Sequence, residues 1–194
     1  MNTLQHETLS SLLEGLQIAD YQPTQEIDKL ADTDHRYLRD LRINVTNALK
    51  YDNLTLKESY LLAFAVGVNE KHAVLKSTFE SLAKSEGATD AEIAETIACV
   101  SLLNINNVFY RFRHFTKKEY YEQTPAGIKM SIMMNPVLGK EFFELMSLAV
   151  SALNGCEMCV NAHEESILKA GGSQPRIYDA VRLAAVMKGL TAIF

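Results

Sequence analysis

The sequence predicts an all-α fold, and three observations carry that expectation. Apolar residues recur at spacings of three and four along most of the chain, the helical period, instead of alternating. Alternating β-branched runs are nearly absent, and glycine (9) and proline (4) are too sparse to punctuate many short strands. Thr55-Leu-Lys-Glu58 and Thr89-Asp-Ala-Glu92 both have the form of a capping box, in which hydroxyl and carboxylate each satisfy a free backbone N–H at a helix start.

Leu4, Leu9, Leu12, Leu13 and Leu16 form one apolar stripe, a first helix ending near Asp20-Tyr-Gln-Pro23. A short polar helix is expected from Thr24 to Ala31. Tyr37, Leu38, Leu41, Val45 and Leu49 mark the next, stopped by Asp52-Asn53. Leu56 to Val68 reads as helical and nearly all apolar, hence buried. Glu70 to Glu86 is amphipathic and closed by Gly87 in a left-handed cap. The box at Thr89 opens a helix from Asp90 to about Leu103, and Asn104 to Phe115 either extends it or starts anew. Lys117 to Pro136 is the least regular stretch, with a turn at Thr124-Pro-Ala-Gly127 and a break at Asn135-Pro136. Glu141 to Ala152 is helical, Asn154-Gly155 interrupts it, and a helix restarts from Cys156 to Ala170. Gly171-Gly172 stops that one, and a last helix runs from near Pro175, a residue suited to a first turn, to the C-terminus.

Sliding the chain by 84 to 85 residues sets Ala65-Val66 over Ala149-Val150 and Glu80-Ser-Leu-Ala-Lys84 over Glu165-Ser-Ile-Leu-Lys169. This suggests one domain over 1–194 holding a degenerate first repeat, 53–116, and a second, 137–194. Lys71, Val74 and Thr78 would then stand where the second copy has Cys156, Cys159 and His163, so only the second copy keeps chemistry.

At 194 residues, 47% hydrophobic and 22% charged, the chain is long enough for one substantial core. Its net charge of −5 argues against nucleic acid or an anionic membrane surface as a partner. Met1-Asn-Thr-Leu-Gln-His-Glu7 has neither the basic start nor the apolar core of a signal peptide. No apolar run approaches the roughly 18 residues of a membrane span. A cytoplasmic location is therefore expected. Three cysteines are too few for a disulfide-stapled secreted fold, and Cys99, in an apolar run, reads as a core residue.

Chemistry concentrates in Leu153-Asn-Gly-Cys156-Glu-Met-Cys159-Val-Asn-Ala-His163. On a helix, positions i, i+3 and i+7 share a face, so both thiols and the imidazole should look the same way. Asn154 and Glu157 read as an N-cap pair, which puts Cys156 in the first turn, where the helix dipole favours a thiolate. Cys159 instead has His163 one turn away as a base. Proximity to that base assigns Cys159 as the attacking thiol and Cys156 as its resolving partner. Glu144, on the preceding helix, can fold back to orient or deprotonate His163.

Other readings compete. Cys156, Cys159 and His163 could ligate zinc, with Glu144, His72 or His114 as the fourth ligand. Three buried, inert side chains are a further option. Phe109-Tyr-Arg-Phe-Arg-His-Phe115 interleaves aromatics with bases, but in an acidic chain it reads as an amphipathic helix packing its aromatics, at a subunit contact, not as a nucleic-acid strip. His6, His35, His72 and His114 have no partner visible in the sequence and are assigned no role.

Glu144, the pair Cys156-Glu-Met-Cys159 and His163 together make an E-x11-C-x-x-C-x3-H pattern that resembles the alkylhydroperoxidase D (AhpD) family of the carboxymuconolactone decarboxylase-like superfamily. The likeness is sharpest over Gly139 to Gly172. It implies an all-α fold of two duplicated helical units, assembled as a homo-oligomer, a trimer or a multiple of one. It also implies a hydroperoxide substrate, no metal or bound cofactor, and re-reduction by dihydrolipoamide or another dithiol, with lipoylated proteins or a peroxiredoxin as partner. By that resemblance Cys159 attacks the peroxide, Cys156 resolves the sulfenic acid as a disulfide, and Glu144 and His163 relay protons. One position departs from the pattern: Met158 stands where some members have a histidine. The competing functions are a decarboxylase-like lyase using His163 or Glu144 for acid–base work, and a non-enzymatic redox-sensing or zinc-binding module.

Overall fold

A computed structural model describes residues 6–18 and 21–194, and no strand occurs among them. The N-terminal part has α1 (Glu7–Gly15), α2 (Gln25–Asp32) and α3 (Tyr37–Ala48), with α1 and α2 both packed on α3. Leu9, Leu12, Leu13 and Leu16 are buried along the expected stripe; Leu4 and Asp20 lie outside the described residues. Thr24 caps α2, its Oγ1 accepting from the Ile27 N–H at 3.3 Å, and its hydroxyl donates to the Ile193 carbonyl near the C-terminus.

The body of the fold consists of α4 (Leu56–Asn69), α5 (Ala73–Ser85), α6 (Asp90–Thr116), α8 (Lys140–Leu153), α9 (Glu157–Lys169) and α10 (Gln174–Leu190). Both capping boxes form: the Thr55 N–H donates to Glu58 Oε2 and the Thr89 N–H to Glu92 Oε2, each at 2.8 Å. Helices α4 and α5 make one closely packed hairpin and α8 and α9 another, while α6 and α10 lie across them. At the α4–α5 contact a Cβ on Gly67 would meet the Lys76 backbone nitrogen at 2.9 Å, so only glycine allows this approach. Phe64 of α4, Phe79 of α5, Leu103 of α6 and Phe143 of α8 are fully buried, and such side chains contribute about 1.5–3 kcal/mol each.

Two helix boundaries need correcting, those of α5 and α10, and for α6 one of the two expected alternatives holds. Helix α5 starts at Ala73, not Glu70, because Lys71 adopts a left-handed φ of +56° and His72 becomes the N-cap, its Nδ1 accepting from the Leu75 N–H at 3.3 Å. Helix α6 runs unbroken for 27 residues until Lys117 turns left-handed, which makes it long and apolar enough to cross a membrane by length and composition. Here it packs against α4, α8 and α9. Helix α10 stops at Leu190, short of the C-terminus.

The irregular stretch after α6 holds α7 (Glu119–Gln123) and one 3-10 turn, Ser131–Met133. The two hairpins are in strict register. Leu56 to Lys140, Asn69 to Leu153, Ala73 to Glu157, Ser85 to Lys169 and Asp90 to Gln174 are each a step of 84.

Candidate active site

The turn between α8 and α9 positions the thiols. Asn154 ends α8 and Gly155 follows with φ +68°, a conformation that glycine adopts without strain. Asn154 is therefore not the N-cap of α9. Its side chain instead knits three elements, accepting from Asn69 Nδ2 at 3.1 Å and donating to Asn107 Oδ1 at 2.9 Å, while its carbonyl accepts from Arg111 Nη1 at 2.5 Å. The N-cap is Cys156 itself, with non-helical φ −101° and ψ 88° and no side-chain capping bond.

Cys156 lies before the first helical turn and reaches, through its sulfur, the face that Cys159 and His163 share. Cys156 is bonded to Cys159, the Cα atoms 5.3 Å apart, yet it lines a depression with Ala152, Glu157 and Val160. Cys159 and His163 line a different cavity of about 380 Å³. Asn106 and Tyr110 of α6, Met130 and Met133 from the irregular segment, and Met158 supply most of the remaining wall. Its lining is thus largely apolar, with the attacking-thiol candidate and an imidazole at one place on it.

Helix α8 brings Glu144 to the back of that imidazole. Glu144 is 2% exposed and His163 8%, and His163 Nδ1 lies 2.6 Å from Glu144 Oε2. An ionised carboxylate only accepts, so Nδ1 carries the hydrogen, and in the neutral ring Nε2 is the nitrogen with a lone pair. The other carboxylate oxygen, Oε1, pairs with Lys140 Nζ at 2.6 Å. Burial alone would raise the Glu144 pKa, but the hydrogen bonds from His163 and Lys140 outweigh it and hold the carboxyl below its usual range. Lys140 also donates to the Met133 carbonyl at 2.9 Å, so one ammonium ties the carboxylate to the methionine-bearing wall.

The structure brings together Glu144, His163 and Cys159, with Cys156 reached through its bond to Cys159. The other fourth-ligand candidates for zinc stay apart: His72 caps α5, and His114 Nε2 lies 3.5 Å from Glu157 Oε2. Among the described residues no cluster of three or more His, Cys, Asp or Glu is placed to hold a metal ion. Cys99 is fully buried 3.5 Å from Ser147 Oγ, and burial pushes its thiol up to about 12 despite that hydrogen bond. Sequence reasoning missed Lys140, although its spacing of four from Glu144 is the usual signal for a helical ion pair. Nothing in the sequence marks Asn106, Met130 or Met133 as cavity residues.

Residues 120–194 match the carboxymuconolactone decarboxylase family model. The chain is 35% identical over 163 residues to an alkyl hydroperoxide reductase AhpD of Brucella canis, covering 84% of this chain and 92% of that protein. It is also 35% identical over 171 residues to an alkyl hydroperoxide reductase AhpD of Coxiella burnetii, covering 86% and 93%. The chain belongs to the AhpD-like family. In this AhpD-like chain the stretch that matches the family model contains Glu144, Cys156, Cys159 and His163, whereas Asn106 and Tyr110 of the cavity wall precede it.

Proposed function

We propose that the chain is a thiol peroxidase that reduces alkyl hydroperoxides by cycling the Cys156–Cys159 disulfide. One observation carries the reading: Cys159 shares a cavity wall with His163, whose Nδ1 is held by buried Glu144 at 2.6 Å. In the reduced pair His163 Nε2 takes the Cys159 proton, and the thiolate attacks the distal peroxide oxygen. An S–O bond forms, the O–O bond breaks, and the alkoxide recovers the proton from His163 to leave as an alcohol. Cys156 then attacks the sulfenic sulfur, releasing water and forming the disulfide. The thiol pair has supplied two electrons, which an external dithiol returns by exchange.

The names of the two relatives support the hydroperoxide as substrate. Dihydrolipoamide or another dithiol as reductant, and a lipoylated protein or a peroxiredoxin as partner, rest on the family resemblance. Assembly as a trimer or a multiple of one rests on the same resemblance, and α6 supports the subunit contact it needs. Ile105, Val108, Phe112 and Phe115 recur along it at spacings of three and four with 45–71% of their surface exposed, an apolar stripe of the kind subunit contacts cover. The step of 84 between the hairpins supports an internal duplication. In that register His72, Leu75 and Phe79, not Lys71, Val74 and Thr78, answer to Cys156, Cys159 and His163.

The test is NADH oxidation coupled through lipoamide dehydrogenase and lipoamide to a hydroperoxide. Turnover should require lipoamide and vanish in Cys159→Ser, while Cys156→Ser should react once with peroxide and stop. Unchanged peroxide consumption in both variants would refute the proposal.

A further inference from the structure

Two consecutive asparagines of α6 are buried, and they differ in how their amides are satisfied. Asn107 is 1% exposed and fully engaged, donating to Ser151 Oγ at 2.9 Å and accepting from Asn154 Nδ2 at 2.9 Å, so it holds the fold together. Asn106 is 5% exposed and lies on the wall of the cavity that contains Cys159 and His163. Its Nδ2 donates only to the soft Met130 sulfur at 3.2 Å, and its Oδ1 has no partner. Among the described residues, Asn106 Oδ1 is the one unpartnered buried side-chain atom that belongs to this cavity's lining. Buried carbonyl oxygens are nearly always paired, and an orphan next to reactive groups is a place where a ligand's donor completes the set.

No donor of this chain completes it: His163 commits Nδ1 to Glu144, the methionines have no strong donor to offer, and the Tyr110 hydroxyl on the same wall makes no hydrogen bond to Asn106 Oδ1. A hydroperoxide has one O–H, on the oxygen that the thiolate attacks, while its alkyl group seeks an apolar lining such as Met130, Met133 and Met158 provide. Access requires that the amide turn about its terminal torsion and bring Oδ1 to the side where Nδ2 now meets the Met130 sulfur, a soft motion that the flexible thioether accommodates.

We propose that Asn106 is a substrate-binding residue whose Oδ1 accepts the hydroperoxide O–H and so presents the distal oxygen to Cys159. The inference rests on the peroxidase reading above. When Cys159 attacks, the S–O bond forms on the oxygen that Asn106 holds, that oxygen stays with sulfur as the sulfenic acid, and the alkoxide leaves with the proton returned by His163. Asn106 takes up no proton and no electrons; it orients.

The experiment uses the Cys156→Ser protein, in which Cys159 is the single accessible thiol. Two rates are compared: sulfenic acid formation with cumene hydroperoxide, trapped by a dione, and alkylation by iodoacetamide, which has no hydroperoxide O–H to hold. Asn106→Leu should slow oxidation about tenfold, the scale of one lost hydrogen bond, and leave alkylation within about twofold. Asn106→Ala, which removes the acceptor without adding bulk, should give the same pattern. Oxidation unchanged in a folded variant overturns the inference, as does an equal fall in both rates, which would make Asn106 a support for the thiol. If the protein with Asn106 intact forms no sulfenic acid, the peroxidase reading itself fails, and that outcome is visible before any Asn106 variant is compared.

Discussion

His163 Nδ1 lies 2.6 Å from Glu144 Oε2, a contact between helices on either side of the Asn154-Gly155 turn in which both partners are buried. It places the ring hydrogen on Nδ1, and in the proposed peroxidase cycle Nε2 is then the base. Glu144→Gln keeps the shape but removes the charge that holds Nδ1–H and pairs with Lys140. Oxidation of reduced protein by an alkyl hydroperoxide should slow by about 100-fold, the lower end of general acid–base contributions. Stopped-flow measurement of disulfide formation checks this, and a change below about twofold would mean that His163 works without its carboxylate.

Lys140 sets the acid side of the same pair. The Glu144 carboxyl titrates below its ordinary value, so its contribution to stability is fully present above the unfolded pKa of about 4.3 and is lost as pH falls through the lower folded value. Lys140→Met removes one of the two contacts that lower it. Acid unfolding and the acid limb of the oxidation rate should both move to higher pH. Since the lysine is half-exposed, the stability lost at neutral pH should be only about 1 kcal/mol. Denaturation midpoints from pH 3 to pH 7 and the pH profile of single-turnover oxidation read the two effects.

Cys99 should be chemically silent. With its thiol pushed up to about 12 by burial, only Cys156 and Cys159 should react with Ellman's reagent at pH 8 in reduced, folded protein. The third thiol should appear on adding denaturant. Cys99→Ala should leave peroxide oxidation unchanged and destabilise by about 1–2 kcal/mol, because Ser147 loses its neighbour and a small void remains.

Much of this arrangement is readable in the chain, because local chemistry marks it. Thr55 and Thr89 open α4 and α6 as their capping boxes predict, and Gly155 and Gly171 stand where their helices end with positive φ. Cys159 and His163 share a cavity because i+4 neighbours share a face. Where reading fails, a tertiary contact has overridden a local pattern. Asn154 and Glu157 match an N-cap pair, but the asparagine is taken by Asn69 and Asn107 from other helices. Lys71 breaks its helix in a left-handed conformation for which lysine carries no signal. The cavity wall joins α6, α9 and the irregular segment across the sequence, so no spacing encodes it.

Arg176 is the clasp between the two halves of the fold, and its loss should cost stability more than activity. From α10 its Nη2 reaches Glu58 Oε1 of α4 at 2.5 Å, its Nε reaches Glu141 Oε1 of α8 at 2.9 Å, and its Nη1 donates to the Asn53 carbonyl at 2.7 Å. All three charged side chains are less than one-quarter exposed. Arg176→Met leaves both glutamates without their cation, at a cost of about 3 kcal/mol, or roughly 6–12 °C in Tm for a chain of this size. Arg176→Lys should recover less than half, since an ammonium cannot serve two carboxylates and a carbonyl in the fork geometry. Burial alone would raise the Glu58 pKa, but Arg176 and Thr55 hold it below the usual range, so this contribution is present above the unfolded value and lost as pH falls through the folded one. The gap between wild type and Arg176→Met in urea denaturation should therefore be widest near pH 7 and narrow toward pH 3. A gap that stays constant over that range would place the effect in packing of the arginine stem and not in its charge.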